Sequence, residues 1–151
     1  MVINNKELST KIRLGIMMFA LLCLALIVFS LIYAWVPNHL IEIISTCVFV
    51  LFAVFILIRK YCYILFNSEG SKIILRYSPL QPLSHGNFSI EIPKKDFKNF
   101  VITKSLFGLR RNLIMFVETP QGVAKFKPVS VTSLSKKELT DLIESLQSIL
   151  K

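Results

Sequence analysis

Residues 14–36 read LGIMMFALLCLALIVFSLIYAWV, and residues 40–58 read LIEIISTCVFVLFAVFILI. Glu42 is the only charged residue in these runs and their connection, whereas 22 of the 27 charged residues lie in 59–151. As a helix, the first run would be about 34 Å long, enough to cross a hydrocarbon layer roughly 30 Å thick. The two runs therefore predict a pair of transmembrane helices.

The composition excludes several classes of protein. Of the 151 residues, 54% are hydrophobic and 18% are charged, and the apolar ones are too concentrated for an ordinary secreted or cytosolic enzyme. The five Gly and six Pro argue against a disordered or collagen-like chain. A cleaved signal peptide is the alternative for residues 1–36. The first run is longer than a signal core, ends without a small-x-small cleavage site and is followed at once by a second run, so we expect a retained hairpin.

The positive charges indicate how this hairpin is oriented. No Lys or Arg occurs in the connection at 37–41. The cations flank the two ends of the hairpin, at Lys6, Lys11, Arg13, Arg59 and Lys60. Because cytoplasmic flanks of membrane spans carry the excess of Lys and Arg, we expect both termini in the cytoplasm and the helices in a bacterial inner membrane. Tyr33 and Trp35 are then expected at the outer interface, and Tyr61 and Tyr63 at the inner one.

Glu42 is the one ionisable residue within the apolar runs. At the membrane midplane it would suggest ion or proton transfer. Its place near the outer end of the second run instead favours a hydrated carboxylate among the headgroups.

The three cysteines do not form a disulfide framework. Cys23 and Cys47 lie in the apolar runs and Cys62 lies just beyond them, so all three are in lipid or on the reducing side. No C-x-x-C motif occurs, and His39 and His85 are expected on opposite sides of the membrane. We therefore predict no metal site and no cofactor.

From residue 61 the pattern changes to short apolar runs separated by turn residues. Two hairpins are indicated, 61–67 with 72–78 around Gly70, and 112–119 with 123–127 around a Pro-Gln-Gly turn. Further strands are predicted at 88–92, 97–105 and 106–111, with a Pro- and Gly-containing loop at 79–87. Six or seven strands result.

The C-terminal segment predicts an amphipathic helix of about 15 residues. Ser135 and Glu138 have the spacing of a capping box. Beyond them, one apolar stripe recurs every three or four positions, at Leu139, Leu142, Ile143, Leu146, Ile149 and Leu150. A helix with this stripe needs a sheet to cover. The predicted organisation is a cytoplasmic N-terminal segment (1–13), a transmembrane hairpin (14–60) and a cytoplasmic domain (61–151).

Two spans followed directly by about six short strands and one amphipathic helix resemble bacterial membrane-anchored proteins with a pleckstrin-homology-like (PH-like) domain. The resemblance covers roughly residues 14–150 and is strongest at 129–139 (VSVTSLSKKEL), where a strand runs into a capped helix. It implies a membrane-anchored α+β protein whose PH-like domain is an antiparallel β-sandwich or barrel, plugged at its open end by the C-terminal helix. It also implies a binding rather than a catalytic role.

Catalysis and nucleic-acid binding have little support in the residues. No phosphate-binding loop, nucleophile elbow or zinc-protease motif occurs, and the one pair that could act as acid and base is His85 with Asp96 or Glu91. A small membrane enzyme built on His85 and Asp96 is a minor hypothesis, and we expect no catalytic residues. The cations are scattered along the strands without a recognised nucleic-acid module, so we expect no nucleic-acid partner.

The basic residues point to a surface of the cytoplasmic domain. Residues 59–151 contain 15 Lys and Arg against seven Asp and Glu, a net charge of +8. Beside an anionic leaflet each close cation contributes about 1 kcal/mol of attraction. We expect contact with lipid or an acidic partner at Arg59, Lys60, Lys104, Arg110 and Arg111. The alternative is a solvated basic surface with a stop-transfer flank.

Two main hypotheses of function follow. The first is a non-enzymatic inner-membrane accessory or scaffolding protein whose PH-like domain binds a protein partner or the membrane surface. The second is a small subunit of a transporter, channel or respiratory assembly, in which the hairpin is the working part. The expected partners are membrane lipids and either an integral membrane protein complex or further copies of the chain.

Overall fold

The computed structural model describes residues 1–33, 40–81, 86–106 and 108–150. Within these residues there are three α-helices, α1 (Lys6–Tyr33), α2 (Leu40–Arg59) and α3 (Lys136–Leu150). The strands are β1 (Val2–Asn4), β2 (Cys62–Asn67), β3 (Lys72–Pro79), β4 (Phe88–Pro93), β5 (Phe97–Ser105), β6 (Arg110–Thr119), β7 (Gly122–Lys125) and β8 (Val129–Ser130). The protein is therefore α+β, as the sequence predicts.

Helices α1 and α2 are each long and apolar enough to cross a membrane, which confirms that part of the prediction. They pack against each other in antiparallel fashion. The rings of Phe19 and Phe52 have centroids 3.9 Å apart near one end of the pair, and Ser30 Oγ donates to Glu42 Oε1 over 3.0 Å near the other. Most of their remaining apolar surface is exposed. The predicted interfacial residue Trp35 and the connecting His39 lie outside the described residues.

The strands form two antiparallel sheets. One has the order β1-β2-β3-β4; in the other, β5 pairs with β6, and β7 and β8 pair with different parts of β6. In β2, buried and half-buried residues alternate, as expected where one face of a sheet is covered. One hydrophobic cluster contains side chains from both sheets and from α3, among them Phe66, Leu75, Leu113 and Leu146.

Helix α3 begins where the capping box predicts. The Ser135 Oγ accepts from the backbone N–H of Glu138 over 3.2 Å, and Glu138 Oε2 accepts from the backbone N–H of Ser135 over 2.7 Å. These bonds satisfy two backbone donors at the helix start. The apolar stripe then faces the sheets, with Leu142 and Leu146 fully buried.

One sequence prediction needs correction, and one strand was not predicted. Residues 106–111 do not form a separate strand: Leu106 and Leu109 belong to the turn of a β5–β6 hairpin, and Arg110 begins a strand that continues to Thr119. The backbone of Leu106 has a φ of 53° and its carbonyl accepts from the N–H of Leu109, which closes the turn. The sequence also gave no sign of β1, because three residues before a helix are too few to show an alternating pattern.

Strand β1 joins a sheet whose other strands come after both long helices. Val2, Ile3 and Asn4 pair with Asn67, Phe66 and Leu65 of β2, and Ile3 is buried in the common core. The start of α1 is therefore fixed to the same sheet that follows α2. The two long helices leave the domain side by side.

A buried amide, Asn5, connects the parts at this point. The Asn5 side chain is 1% exposed, and its Oδ1 accepts from the backbone N–H of Ile64 and from Ser9 Oγ, over 2.8 and 3.0 Å. Its Nδ2 donates to the Cys62 carbonyl over 3.3 Å and to Ser133 Oγ over 3.0 Å. The side chain thus connects α1, β2 and the segment before α3. We call these residues the Asn5 junction.

We predict that Asn5→Ala lowers the local stability of β2 by about 3 kcal/mol, because it leaves the buried N–H of Ile64 without an acceptor. The measurement is the free energy of opening of the β2 amides by hydrogen exchange in the detergent-solubilised chain. Asn99→Ala is the matched control, since Asn99 is exposed and accepts only from the backbone N–H of the next residue. Equal effects of the two substitutions would contradict a structural role for the junction.

We predict that Leu146→Ala costs about 2–5 kcal/mol in the same measurement, made on the core strands, because it leaves a cavity under α3. Leu150→Ala, one turn further on where the side chain is 40% exposed, should change the value by less than about 0.5 kcal/mol. A Leu146→Ala protein as stable as the Leu150→Ala protein would show that α3 does not cover the sheets.

Candidate functional site

One end of both sheets lies next to the two long helices. Strand β2 begins at Cys62, three residues after α2 ends, and the register of β3 and β4 places Pro79 and Phe88 at this same end. In the second sheet, the peptide N–H of Val131 donates to the carbonyl of Arg111 over 2.9 Å, next to Ser133 of the Asn5 junction. The β5–β6 turn therefore also lies at this end. We call it the helix-proximal end.

Three of the five predicted contact residues meet at the β5–β6 turn. Lys104 is the register partner of Arg111, and Ser105 is that of Arg110, so all three cations stand within two residues of the turn. The Arg110 Nε donates to Asn112 Oδ1 over 2.9 Å. Leu106 and Leu109 in the turn are 48% and 37% exposed. The result is an exposed apolar tip with cations on both strands of its stem, and we call it the basic tip.

The other two predicted residues lie at the end of α2. The Arg59 guanidinium carbon stands 5.1 Å from the ring centre of Phe55 and 5.9 Å from that of Tyr61, a cation–π arrangement. Its Nε is buried and has no hydrogen-bond partner within the described parts of the chain. Lys60 is exposed and has a φ of 45°, which ends α2 and turns the chain into β2.

Cys62 links these two groups of cations. It is 7% exposed, and this burial raises the pKa of its thiol to about 11. Arg110 and Lys60 act in the opposite direction on the same pKa, so both lie within electrostatic range of the sulfur. The basic tip and the end of α2 are therefore neighbours. No ion pair involves any of the five predicted cations within the described residues.

A cleft of about 650 Å³ opens on another side of the helix-proximal end. One wall is the polar first two turns of α1, with Lys6, Ser9, Thr10 and Arg13. The facing wall has four polar side chains, and Pro79, Leu80 and Gly86 complete it: Tyr63, Ser78, Gln81 and Asn87. We call it the α1 cleft. Lys6 and Arg13 flank the first apolar run and indicate its orientation, and the spacing 6, 9, 10, 13 also indicates one polar helix face.

Asp96 and Glu91, two of the residues considered for catalysis, are not brought into this region. Asp96 lies in a short 3-10 helix before β5, at the opposite ends of the strands, and Glu91 lies 3.8 Å from Lys72 Nζ. His85 lies outside the described residues. Within the described ranges, no three His, Cys, Asp or Glu side chains form a group that could hold a metal ion.

No family model, curated protein or solved structure matches the chain. The geometry of the helix-proximal end is therefore the basis for inferring a function.

We predict that Cys62 alkylates slowly in the folded protein, because at pH 8 a thiol with a pKa of about 11 holds little of the reactive thiolate. The measurement is the rate of reaction with iodoacetamide in a Cys23→Ala, Cys47→Ala background. The rate should be lower than in the same protein unfolded in urea by about 100-fold, the ratio of the thiolate fractions at pH 8 for pKa values of 9.0 and about 11.

The raised pKa of Cys62 also makes the free energy of unfolding depend on pH. Between about pH 9 and 11 the folded chain keeps a proton on Cys62 that the unfolded chain has lost, so stability falls as the pH rises through this window. Comparable alkylation rates in folded and unfolded protein would contradict the burial of this thiol.

Proposed function

We propose that this chain is a non-enzymatic accessory or scaffolding protein of the bacterial inner membrane, whose cytoplasmic PH-like domain docks on the anionic inner leaflet through the basic tip. Two antiparallel sheets closed by a C-terminal helix support the PH-like domain. Two helices long and apolar enough to cross a membrane support the anchoring. The Lys and Arg residues at both ends of the hairpin support an orientation with both termini in the cytoplasm.

The single observation that carries the proposal is the position of the basic tip beside the end of α2. If α2 spans the membrane, Arg59 and Lys60 mark the inner headgroup region. Ser133 Oγ donates to the Cys62 carbonyl, and two residues earlier the N–H of Val131 donates to the Arg111 carbonyl over 2.9 Å, so the stem of the tip is held near the start of β2. The domain therefore reaches the leaflet without any movement relative to its anchor.

The chemistry of the basic tip suits an anionic lipid surface. Lys104, Arg110 and Arg111 supply charge, and each cation close to anionic headgroups contributes about 1 kcal/mol. Leu106 and Leu109 are exposed apolar side chains between the two strands of the stem. Apolar residues flanked by cations are the usual means by which a surface enters the interface between headgroups and acyl chains.

An acidic protein partner could use the same charges, and this is the competing reading of the same surface. The two differ in what they require. Docking on the leaflet needs only anionic lipid, whereas a protein partner must be present in the membrane and would bury the tip regardless of lipid charge.

We predict that residues 104–111 exchange amide hydrogens more slowly in nanodiscs containing phosphatidylglycerol than in nanodiscs of phosphatidylcholine alone. The full chain is used, and hydrogen exchange of the peptide spanning the tip is read by mass spectrometry. Lys104→Gln with Arg111→Gln should remove most of the difference, because the attraction depends on these charges.

Lys125→Gln with Lys127→Gln is the matched control, since it removes the same charge outside the tip and should leave the difference intact. Equal exchange in the two lipids would overturn docking on the leaflet. Protection seen only in native membranes, and not with phosphatidylglycerol, would assign the surface to a protein partner instead.

A further inference from the structure

We propose that the α1 cleft is a binding site for a phosphate ester, with Lys6 and Arg13 as the cations that hold the phosphate. The shared ligand chemistry is a phosphate group that carries negative charge, either in the headgroup of an anionic phospholipid or in a soluble molecule. This inference depends on the position of the hairpin in the membrane, but not on the docking of the basic tip.

The wall formed by α1 places its polar groups on one side of the helix. Lys6, Thr10 and Arg13 are separated by four and three positions, so their side chains leave the helix in similar directions. All three are exposed, while Ser9 between them is turned into the Asn5 junction and is buried. The cations therefore stand on a part of α1 that is fixed to the sheet.

The facing wall is held in place by hydrogen bonds to the joint between α2 and β2. The backbone N–H of Leu80 donates to the Tyr61 carbonyl over 2.9 Å, and Gln81 Nε2 donates to the Leu57 carbonyl over 3.3 Å. Ser78 Oγ donates to the carbonyl of Gly86 over 3.1 Å, which ties the two ends of the segment together. A wall held in this way exists before a ligand binds, so less ordering is required on binding.

The charges in the cleft are of one sign. Among the described residues that line the cleft, Lys6 and Arg13 are the only cations, and none is Asp or Glu. Neither cation forms an ion pair among the described residues. On the same two turns of α1, by contrast, Lys11 Nζ lies 2.7 Å from Glu7 Oε1 and is already neutralised. Two uncompensated cations about two helical turns apart suit an anion that accepts several hydrogen bonds, and the lysine ammonium and arginine guanidinium supply those donors. The Thr10 hydroxyl already donates to the Lys6 carbonyl, so the cations hold the phosphate.

The position of the cleft relative to the membrane indicates the source of the phosphate. Arg13 comes directly before the apolar run that begins at Leu14, and the facing wall is bonded to Leu57 in the last turn of α2. If the two helices cross the membrane, the mouth of the cleft lies at the level where lipid phosphates lie. A phospholipid headgroup is therefore the ligand that reaches it directly.

The experiment measures binding to the full chain in a neutral detergent. The probes are dioctanoyl phosphatidylglycerol, dioctanoyl phosphatidylcholine and glycerol 1-phosphate, and bound molecules are counted by native mass spectrometry with affinities from titration. We expect one phosphate ester bound per chain, with phosphatidylglycerol preferred over the zwitterionic phosphatidylcholine. If glycerol 1-phosphate binds as tightly as the lipid, the site serves a soluble phosphate ester; if it does not, the site serves a lipid headgroup.

The test variant is Lys6→Gln with Arg13→Gln, and the control is Lys11→Gln, which changes a cation of the same helix outside the cleft. We expect the double variant to weaken binding at least about tenfold, equivalent to about 1.4 kcal/mol, and the control to leave it unchanged. Hydrogen exchange of β2 should be the same in all three proteins, because these side chains are exposed and a folding defect would appear there.

Retention of binding in the double variant would overturn the site, as would equal binding of phosphatidylcholine or the absence of any bound phosphate ester. These outcomes are separate from those at the basic tip. The Lys104→Gln, Arg111→Gln protein should bind the short-chain lipid in the α1 cleft as the unsubstituted protein does, even though its tip no longer responds to lipid charge.

Discussion

Satisfying the hydrogen bonds of one buried amide fixes how the rest of the molecule is arranged. Asn5 has partners on α1, on β2 and on the segment that leads into α3, so these elements can meet in only one geometry. Burying an amide side chain costs free energy unless each of its donors and acceptors forms a hydrogen bond. The junction therefore fixes the start of α1 to β2 and to the segment before α3, beside the α1 cleft and the end of the sheets that carries the basic tip.

Much of this architecture could be predicted from local patterns. The apolar runs, the β2–β3 hairpin around Gly70 and the start of α3 at the capping box each depend on neighbouring residues alone. The structure has the hairpin and α3 close to the predicted bounds, whereas α1 begins at Lys6, eight residues before the first apolar run. The PH-like assignment, the membrane and the function depend on more than local pattern, and they stay proposals.

What could not be predicted depends on contacts between distant residues. Nothing in Val2–Asn4 indicates that it pairs with a strand more than 60 positions later. The pattern at 106–111 predicts a strand, whereas in the structure Leu106 and Leu109 are exposed in the turn between β5 and β6. From the sequence alone, Lys6 and Arg13 are ordinary flanking charges, whereas in the structure they line a cleft together with Gln81 and Asn87.

The position of β1 in the sheet also has a consequence for biogenesis. This strand precedes both hydrophobic helices in the chain, whereas its partner β2 emerges from the ribosome only after both helices have been synthesised. If the helices cross a membrane, the sheet closes only when the second helix has returned the chain to the side on which β1 lies. A hairpin inserted with only one helix across would separate Val2 from Asn67 by the full thickness of the bilayer and leave an unpaired edge of β2 open to aggregation. If both helices cross a membrane, completion of the sheet thus requires that the chain has crossed it twice.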